Sequence, residues 1–267
     1  MNESISKRGN SIKEDWSQRI ILYVNTFLSS PENRLWREKD EPAWGEPLVG
    51  FARGDDQIFE EFKEYVGPFH WTPLEIFNLS FPRQDVQADE LTVISWILPQ
   101  TEKTKLDNRK EDLFPAERWI RSRIAGEQLN EKLRDYLVSQ LRDSAIEAVA
   151  PMRSPLWSRK ESQRFGLAST WSERHAAYAA GLGTFGLSDG LITASGKAHR
   201  AGSVVARINV APTPRPYNDH HAYCLFFNEG NCGACISRCP AGAISEQGHD
   251  KEICSNYVHV RCAEYAS

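Results

Sequence analysis

Apolar side chains recur at helical spacing at Ile12, Trp16, Ile20, Val24 and Phe27/Leu28, behind the capping-box signature Ser11-Ile-Lys-Glu14. This pattern predicts a first helix, ended by Ser30-Pro31. The stretch from Glu32 to Gly50 is rich in Pro, Gly, Trp and charge, and reads as an extended surface loop. Asp56 to Val66 reads as a short amphipathic helix closed by Gly67-Pro68. Leu91 to Leu98 (LTVISWIL) is the clearest strand, β-branched and apolar almost throughout, with Pro99 as its stop. A nearly continuous apolar strand implies cover on both faces. The charged run 101–112 is expected to be a loop, and Pro115 opens a long helix to about Leu141 with a break expected at Gly126. Strands follow at Ile146–Ala150 and Ser203–Val210, with an Ala-rich helix at Trp171–Ala180 between them. Ala211 to Pro216 is a stiff, proline-rich linker, and no internal repeat is present. The order of elements implies an α/β or α+β body over 1–215 and a short C-terminal module over 216–267.

Composition narrows the class of protein. With 267 residues, 40% hydrophobic and 25% charged, the chain can build a core without metals or disulfides. A net charge of −4 argues against a general nucleic-acid binder. The start MNESISKRGNSIKED lacks the basic-then-apolar layout of a signal peptide, and no apolar run is long enough for a bilayer span. A soluble cytoplasmic protein with no membrane partner is expected.

The cysteines change this picture. No cysteine precedes Cys224, and all six (Cys224, Cys232, Cys235, Cys239, Cys254 and Cys262) follow. A disulfide scaffold would spread its cysteines through the fold, whereas a crowded terminal set reads as a metal site. Cys232-Gly-Ala-Cys235-Ile-Ser-Arg-Cys239-Pro240 matches the last three ligands and the proline of the bacterial ferredoxin run C-x2-C-x2-C-x3-C-P. The first ligand position falls on Glu229, and Cys224, five residues earlier, is the substitute. A structural zinc site also uses C-x2-C, but it usually pairs two such knuckles and only one is present here. A [4Fe–4S] cluster is therefore expected. One arrangement places Cys224, Cys232 and Cys235 with a remote fourth ligand such as Cys262 on one cube, leaving Cys239 and Cys254 facing a second site short of two thiolates. A single cube using four of the six, or a natural chain continuing past Ser267 with further ligands, stays equally open.

The sequence also resembles the epoxyqueuosine reductase superfamily, particularly its shorter iron–sulfur members, over roughly Arg164 to Tyr257. The residues that carry the likeness are Trp171-Ser-Glu-Arg-His-Ala-Ala-Tyr-Ala-Ala-Gly-Leu-Gly183, Thr184-Phe-Gly-Leu-Ser-Asp-Gly-Leu-Ile-Thr193, Gly202-Ser203 and the CGAC…CPAGAI run. The resemblance implies a nitroreductase-like or cobalamin-reductase-like body joined to a ferredoxin-like 4Fe-4S module, with reductive dehalogenases as distant relatives. It also implies cobalamin as a cofactor and a ferredoxin or flavodoxin as electron donor. Two departures stand out. The family's catalytic Asp should lie a few residues before the Glu-Arg pair, yet Phe165-Gly-Leu-Ala-Ser-Thr170 contains no carboxylate. Epoxide reduction needs a proton donor at the leaving oxygen, so true epoxyqueuosine reduction is not expected. The family's further cysteine pair and helical-repeat tail are also not found in these residues.

Lesser signals complete the reading. Gly181-Leu-Gly183-Thr-Phe-Gly186 fits G-x-G-x-x-G, but it follows a helix and has no acid near position 206, so it reads as a helix cap and close turn rather than a dinucleotide site. Gly181, Gly183, Thr184 and Gly186 could still line a cofactor pocket through their amides. Arg174, His175 and Tyr178 are the catalytic candidates: an anion clamp, a proton shuttle and a pocket donor. The competing reading of Glu173 to His175 is an exposed first turn with a Glu–Arg pair. His220-His221 are expected to be solvated linker residues, and GPFHWTP (67–73), with His70 and Trp71, a packing corner. The function these residues support is an iron–sulfur oxidoreductase acting on a small-molecule substrate. The alternatives are a ferredoxin-like electron carrier or partner subunit, and a zinc-stabilised interaction protein.

Overall fold

The computed structural model describes residues 15–262 and 264, apart from 37, 83–84 and 164–165. The expected capping box at Ser11 to Glu14, and Ile12 with it, lies outside the described residues. The first helix, α1 (Trp16–Leu28), is capped instead by Asp15, whose carboxylate accepts from the Ser17 amide at 3.0 Å. Ile20, Val24 and Leu28 form its buried face.

The stretch expected as a surface loop turns inward. Leu35, Ala43 and Trp44 are buried, and the Asn33 carboxamide holds Trp44 by donating to its carbonyl (3.1 Å) and accepting from its amide (3.0 Å). The chain then enters β1 (Leu48–Arg53). Prolines and glycines suggested loop, but these residues gain a ladder partner from a distant strand, which local composition does not encode. Next come α2 (Ile58–Tyr65) and α3 (Pro73–Ser80), the latter begun by a full capping box between Thr72 and Glu75. The long strand β2 (Leu91–Pro99) is buried at every position. The charged run expected as a loop forms α4 (Glu102–Arg109), because Thr101 caps it and Thr104 anchors it in the interior.

The helix α5 (Glu117–Asp143) runs without a break at Gly126. Gly126 is a packing contact rather than a hinge: a β-carbon there would sit 2.3 Å from the Trp44 ring. Then follow β3 (Ala148–Val149), the hairpin of β4 (Arg159–Ser162) and β5 (Gly166–Ser169), α6 (Glu173–Ala179), the hairpin of β6 (Gly183–Phe185) and β7 (Leu191–Thr193), and β8 (His199–Arg207). The last segment holds α7 (Leu225–Glu229), α8 (Ala234–Arg238), a small ribbon of β9 (Ile244–Ser245) and β10 (Gly248–His249), and α9 (Lys251–Asn256), which runs on into a wider turn at Tyr257–Arg261.

The central sheet has the order β1-β2-β8-β3, and every pairing in it is antiparallel. The body is therefore of the α+β kind rather than a parallel βαβ arrangement. Alternation along β2 sends Ile94, Trp96 and Leu98 to one face, against α1 and α5. Leu91, Val93 and Ile97 go to the other, against α2, α3 and α6. The expected cover on both faces is present. Among the described residues no helix is long and apolar enough to cross a membrane.

An alanine at position 126 would ordinarily gain about 1 kcal/mol of helix propensity. Here we expect Gly126→Ala to destabilise the protein, by about 1–3 kcal/mol, because the buried Trp44 ring cannot yield without disturbing the core. Urea unfolding of the two proteins reads the sign directly.

Candidate functional site around helix α6 and the cysteine segment

The first turn of α6 is not the exposed Glu–Arg pair that local spacing allowed. Glu173 points inward and pairs at 3.1 Å with Arg134 of α5, whose side chain is 2% exposed. Arg134 also contacts Glu127 at 3.0 Å, and Glu127 in turn holds Arg200 at 3.0 Å. Ser203 of β8 joins the set, donating to the Glu173 carboxylate while accepting from the Trp171 indole at 3.0 Å. Burial pushes the Glu173 carboxyl up, against the opposing pull of Arg134. Arg174 is exposed, and its guanidinium donates to the Asp189 carbonyl.

His175 and His70 face one another at 5.7 Å between ring centroids. His175 lies edge-on to Phe62 at 4.8 Å and 4.9 Å from Phe185, with Nδ1 2.8 Å from the Ser172 hydroxyl. His70 stacks on Trp171 and its Nδ1 lies 3.0 Å from the Ser169 carbonyl, which can only accept, so that nitrogen carries the proton. Burial lowers the pKa of both, and His175 falls well below the ordinary histidine value. Tyr178 stacks on Tyr217 at 5.2 Å, and burial raises its phenol. The three catalytic candidates thus separate. His175 and Tyr178 belong to an aromatic cluster, and Arg174 faces the hairpin turn.

The glycine-rich turn is the helix cap expected of it. Gly181, at φ +77°, donates to Tyr178 O at 3.1 Å and Leu182 donates to Ala177 O at 3.0 Å, the pattern of a Schellman motif. Gly183 then pairs with Thr193 in the β6–β7 ladder, and Gly186 turns the hairpin by donating to Gly190 O at 2.9 Å. Thr184 is fully buried, and its hydroxyl accepts from the Tyr223 amide at 2.9 Å. Phe185 donates to the His220 carbonyl at 2.7 Å and its own carbonyl lies 2.9 Å from His221 Nδ1. These bonds dock the chain entering Cys224 onto β6. His220 is solvated as expected. His221 is not, because it holds β6 and stacks on Phe227 at 4.0 Å.

All six cysteines are free thiols. Cys224 is buried at the start of α7, Cys235 lies in the first turn of α8, Cys239 caps the end of α8, and Cys254 lies in α9. Electrostatics sorts five of them into two neighbourhoods. Cys235 and Cys224 both act on the Lys197 ammonium. Cys254, its thiol raised by burial and further by Cys239, shares a second neighbourhood with Cys262 and Cys239 around Tyr257. Cys262, one candidate for the remote fourth ligand, is close enough to Tyr257 to act on its phenol. Among the described residues no three His, Cys, Asp or Glu side chains converge on the volume of a single ion. The donor set itself, six free thiols within 39 residues (262 − 224 + 1), fits a cluster.

Further ties fasten this segment to the body. Arg238, between Cys235 and Cys239, donates to the carbonyls of Asn108 (2.8 Å), Arg109 (3.0 Å) and Glu111 (2.7 Å), where α4 ends and its peptide dipoles favour a cation. The Tyr257 hydroxyl donates to the Leu113 carbonyl, and His249 lies 3.2 Å from Asp189. A groove of about 1030 Å³ opens beside the second tie, lined by Trp36, Phe114, Ile120 and Ile124 among others. Phe114 stacks on Tyr257 at 6.4 Å, so the groove wall is continuous with the Cys239 neighbourhood. Lys197, Asp189 and Arg238 have no motif of their own, and sequence reasoning passed over them.

No known family profile matches the sequence, and no curated protein matches it. Solved structures do. Epoxyqueuosine reductase from Bacillus subtilis is 15% identical with a TM-score of 0.47, over 91% of this chain and 56% of that one. A selenomethionine-labelled epoxyqueuosine reductase gives 16% and 0.45, and an epoxyqueuosine reductase with an epoxyqueuosine-modified tRNA-Tyr stem loop gives 14% and 0.48. The resemblance read from the sequence is thus met by structural neighbours of the same name. The chain spans just over half of their length, and at these values the likeness assigns no role to any residue.

Two outcomes follow from the buried groups. Glu173→Ala leaves Arg134 buried with Glu127 alone and is expected to cost about 3–5 kcal/mol in chemical denaturation. Histidines whose folded pKa is depressed contribute stability that is complete above the ordinary value of 6.5 and is lost as pH falls towards the folded values. The melting temperature should therefore drop between about pH 7.5 and about pH 5.5, and His175→Phe should flatten that drop.

Proposed function

We propose that this chain is an iron–sulfur redox protein, carrying at least one [4Fe–4S] cluster on the module 216–267 and passing electrons to a cofactor or substrate held by the body 1–215. The observation that carries the proposal is the set of six free thiols confined to residues 224–262, with Cys224 fixed to the body through β6. The cluster would supply one-electron transfer, with its potential set by burial and by charge and hydrogen bonds near the sulfurs. Cys224, Cys232, Cys235 and Cys239 supply the ferredoxin-type spacing, and Cys254 and Cys262 supply thiolates near Cys239.

The groove beside Phe114 and Tyr257 is the place in the body where a substrate would approach the cysteines. Arg121 lies over the Trp36 ring at 4.3 Å and pairs with Glu117, so the wall is aromatic with mixed charge and suits a flat group. Reduction of an epoxide is disfavoured. The stretch before α6 has no carboxylate, and Glu173, the nearest one, is committed to Arg134 and Ser203. Cobalamin, a ferredoxin-like fold for the module and a ferredoxin or flavodoxin donor enter by resemblance alone.

Anaerobic purification with iron, sulfide, cobalt and zinc counted per chain tests the proposal. About four irons and four sulfides per chain would mark one cube and about eight of each two, while zinc without iron or sulfide would overturn it. Cys235→Ser is expected to lose most of the brown absorbance together with iron and sulfide. A variant retaining both at the wild-type level removes Cys235 from the ligand set.

A further inference from the structure

The loop between α4 and α5 is held along its length by the cysteine segment. Arg238 donates to the carbonyls of Asn108 (2.8 Å), Arg109 (3.0 Å) and Glu111 (2.7 Å), and the Tyr257 hydroxyl donates to that of Leu113. Four carbonyls of the stretch 108–113 therefore accept from two side chains of the segment. Burial anchors little of this loop: Lys110, Asp112 and Leu113 are exposed, Leu113 by 65%. The body closes its base, where the Asn108 side chain accepts from the Ala116 amide at 3.1 Å and Asp107 pairs with Arg118 at 2.8 Å. Glu111, Phe114, Pro115 and Ala116 of the same stretch line the groove, and Phe114 stacks on Tyr257. One wall of the groove is thus carried by a loop whose tip is fixed from the cysteine side.

The segment that does the holding has little core of its own. Between Cys224 and Cys262, Cys224 and Ala243 are the buried residues among those described. Helices α7, α8 and α9 have five, five and six residues and bury none of them. Helices this short are not stable in water by themselves. Cysteines stand where their placement is decided. Cys235 lies in the first turn of α8 and Cys239 caps its end, with Arg238 between them. Cys254 lies in α9, and Tyr257 directly follows that helix. Thiolates joined to a cluster tie such helices together, and the free energy of metal binding becomes folding free energy of the segment. The directions of Arg238 and Tyr257 follow from it.

We propose that the loop 108–113 couples cluster occupancy to the shape of the groove. With the cluster bound, Arg238 and Tyr257 hold the wall that carries Phe114; with the cluster lost, they release it. The assignment rests on the iron–sulfur reading above. Through this loop the body registers the state of the module without any contact between a groove ligand and the cluster. Coupling of this kind is reciprocal, so a ligand that needs the ordered wall in turn favours the loaded segment.

The loop supplies its own probe, because Arg109, whose carbonyl Arg238 holds, and Lys110 are exposed trypsin sites. The full chain is prepared anaerobically, and iron and sulfide are counted. One half is stripped of iron with ferricyanide and a chelator and then reduced. Both halves are digested under native conditions, with cleavage followed by mass spectrometry. Cutting that needs local opening tracks the open population, so loss of these bonds should speed cleavage after Arg109 and Lys110 by about tenfold in the stripped protein. Loaded Arg238→Gln should be cut at nearly the stripped rate with its iron unchanged. If that variant loads poorly, loaded Tyr257→Phe, which keeps the ring beside Phe114, should still be cut faster than wild type. Equal rates in loaded and stripped wild type, or a loaded variant cut no faster than wild type, overturn the coupling alone. An equal rise after Lys132, in the middle of α5, marks general unfolding and also overturns it. A wild type without iron and sulfide ends the iron–sulfur reading and the coupling together.

Discussion

The structure depends on how the outer edge of β8 is satisfied. Among the described residues β3 pairs with β8 only at Val205 and Ala206, so the run from His199 to Val204 has β2 on one side and no described strand on the other. Edge groups buried without partners would be costly. Helix α5 supplies the partners instead. Asn130 donates to the Ala201 carbonyl at 2.9 Å and accepts from the Trp96 indole at 2.9 Å, while Arg134 reaches Glu173 beside Ser203. The Glu173–Arg134 pair thereby links helices packed on opposite faces of the sheet. Its main effect is to fix α6 in place, since a buried ion pair returns little net stability once desolvation is counted.

Everything towards the cysteines is built outward from that fixed helix. The Schellman turn at Gly181 sets the direction in which the chain leaves α6, and β6 starts two residues later. The hairpin offers one hydroxyl and one peptide unit to the incoming segment, and Cys224 follows. On the far side, Arg238 grips the end of α4 from within the C-x3-C loop. The cysteine segment is therefore clamped at both ends of its motif, by the Thr184 hydroxyl and by backbone groups of the body.

Legibility in the sequence followed the range of the interaction concerned. β2 and α5 were readable because each buries a continuous pattern of its own, and the cap at Gly181 because its signal is local. β1 was not, because Leu48 to Arg53 become a strand only against β2. Thr101 did carry a local signal, the side-chain cap of α4, but it was masked by the charge density of the helix it begins. The cysteine spacing raises the expectation of a cluster because thiolate geometry constrains neighbours along the chain. The same spacing said nothing of where Cys254 and Cys262 would lie, since folding of the segment brings them to Cys239.

The division of the cysteines into two neighbourhoods bears on how electrons could cross the protein. Lys197 and the hairpin belong to Cys224 and Cys235, whereas Tyr257, Phe114 and the groove belong to Cys239, Cys254 and Cys262. The α8 loop joins the two, because Cys235 and Cys239 sit at its opposite ends. Both sides carry cations, Lys197 on one and Arg123 and Arg261 on the other, so the potential of any redox centre there would depend on how closely these charges approach it. With a single cube both sets of charges would act on one site. In either case part of that charge comes from the body, through Lys197 and Arg123, and part from the cysteine segment itself, through Arg261.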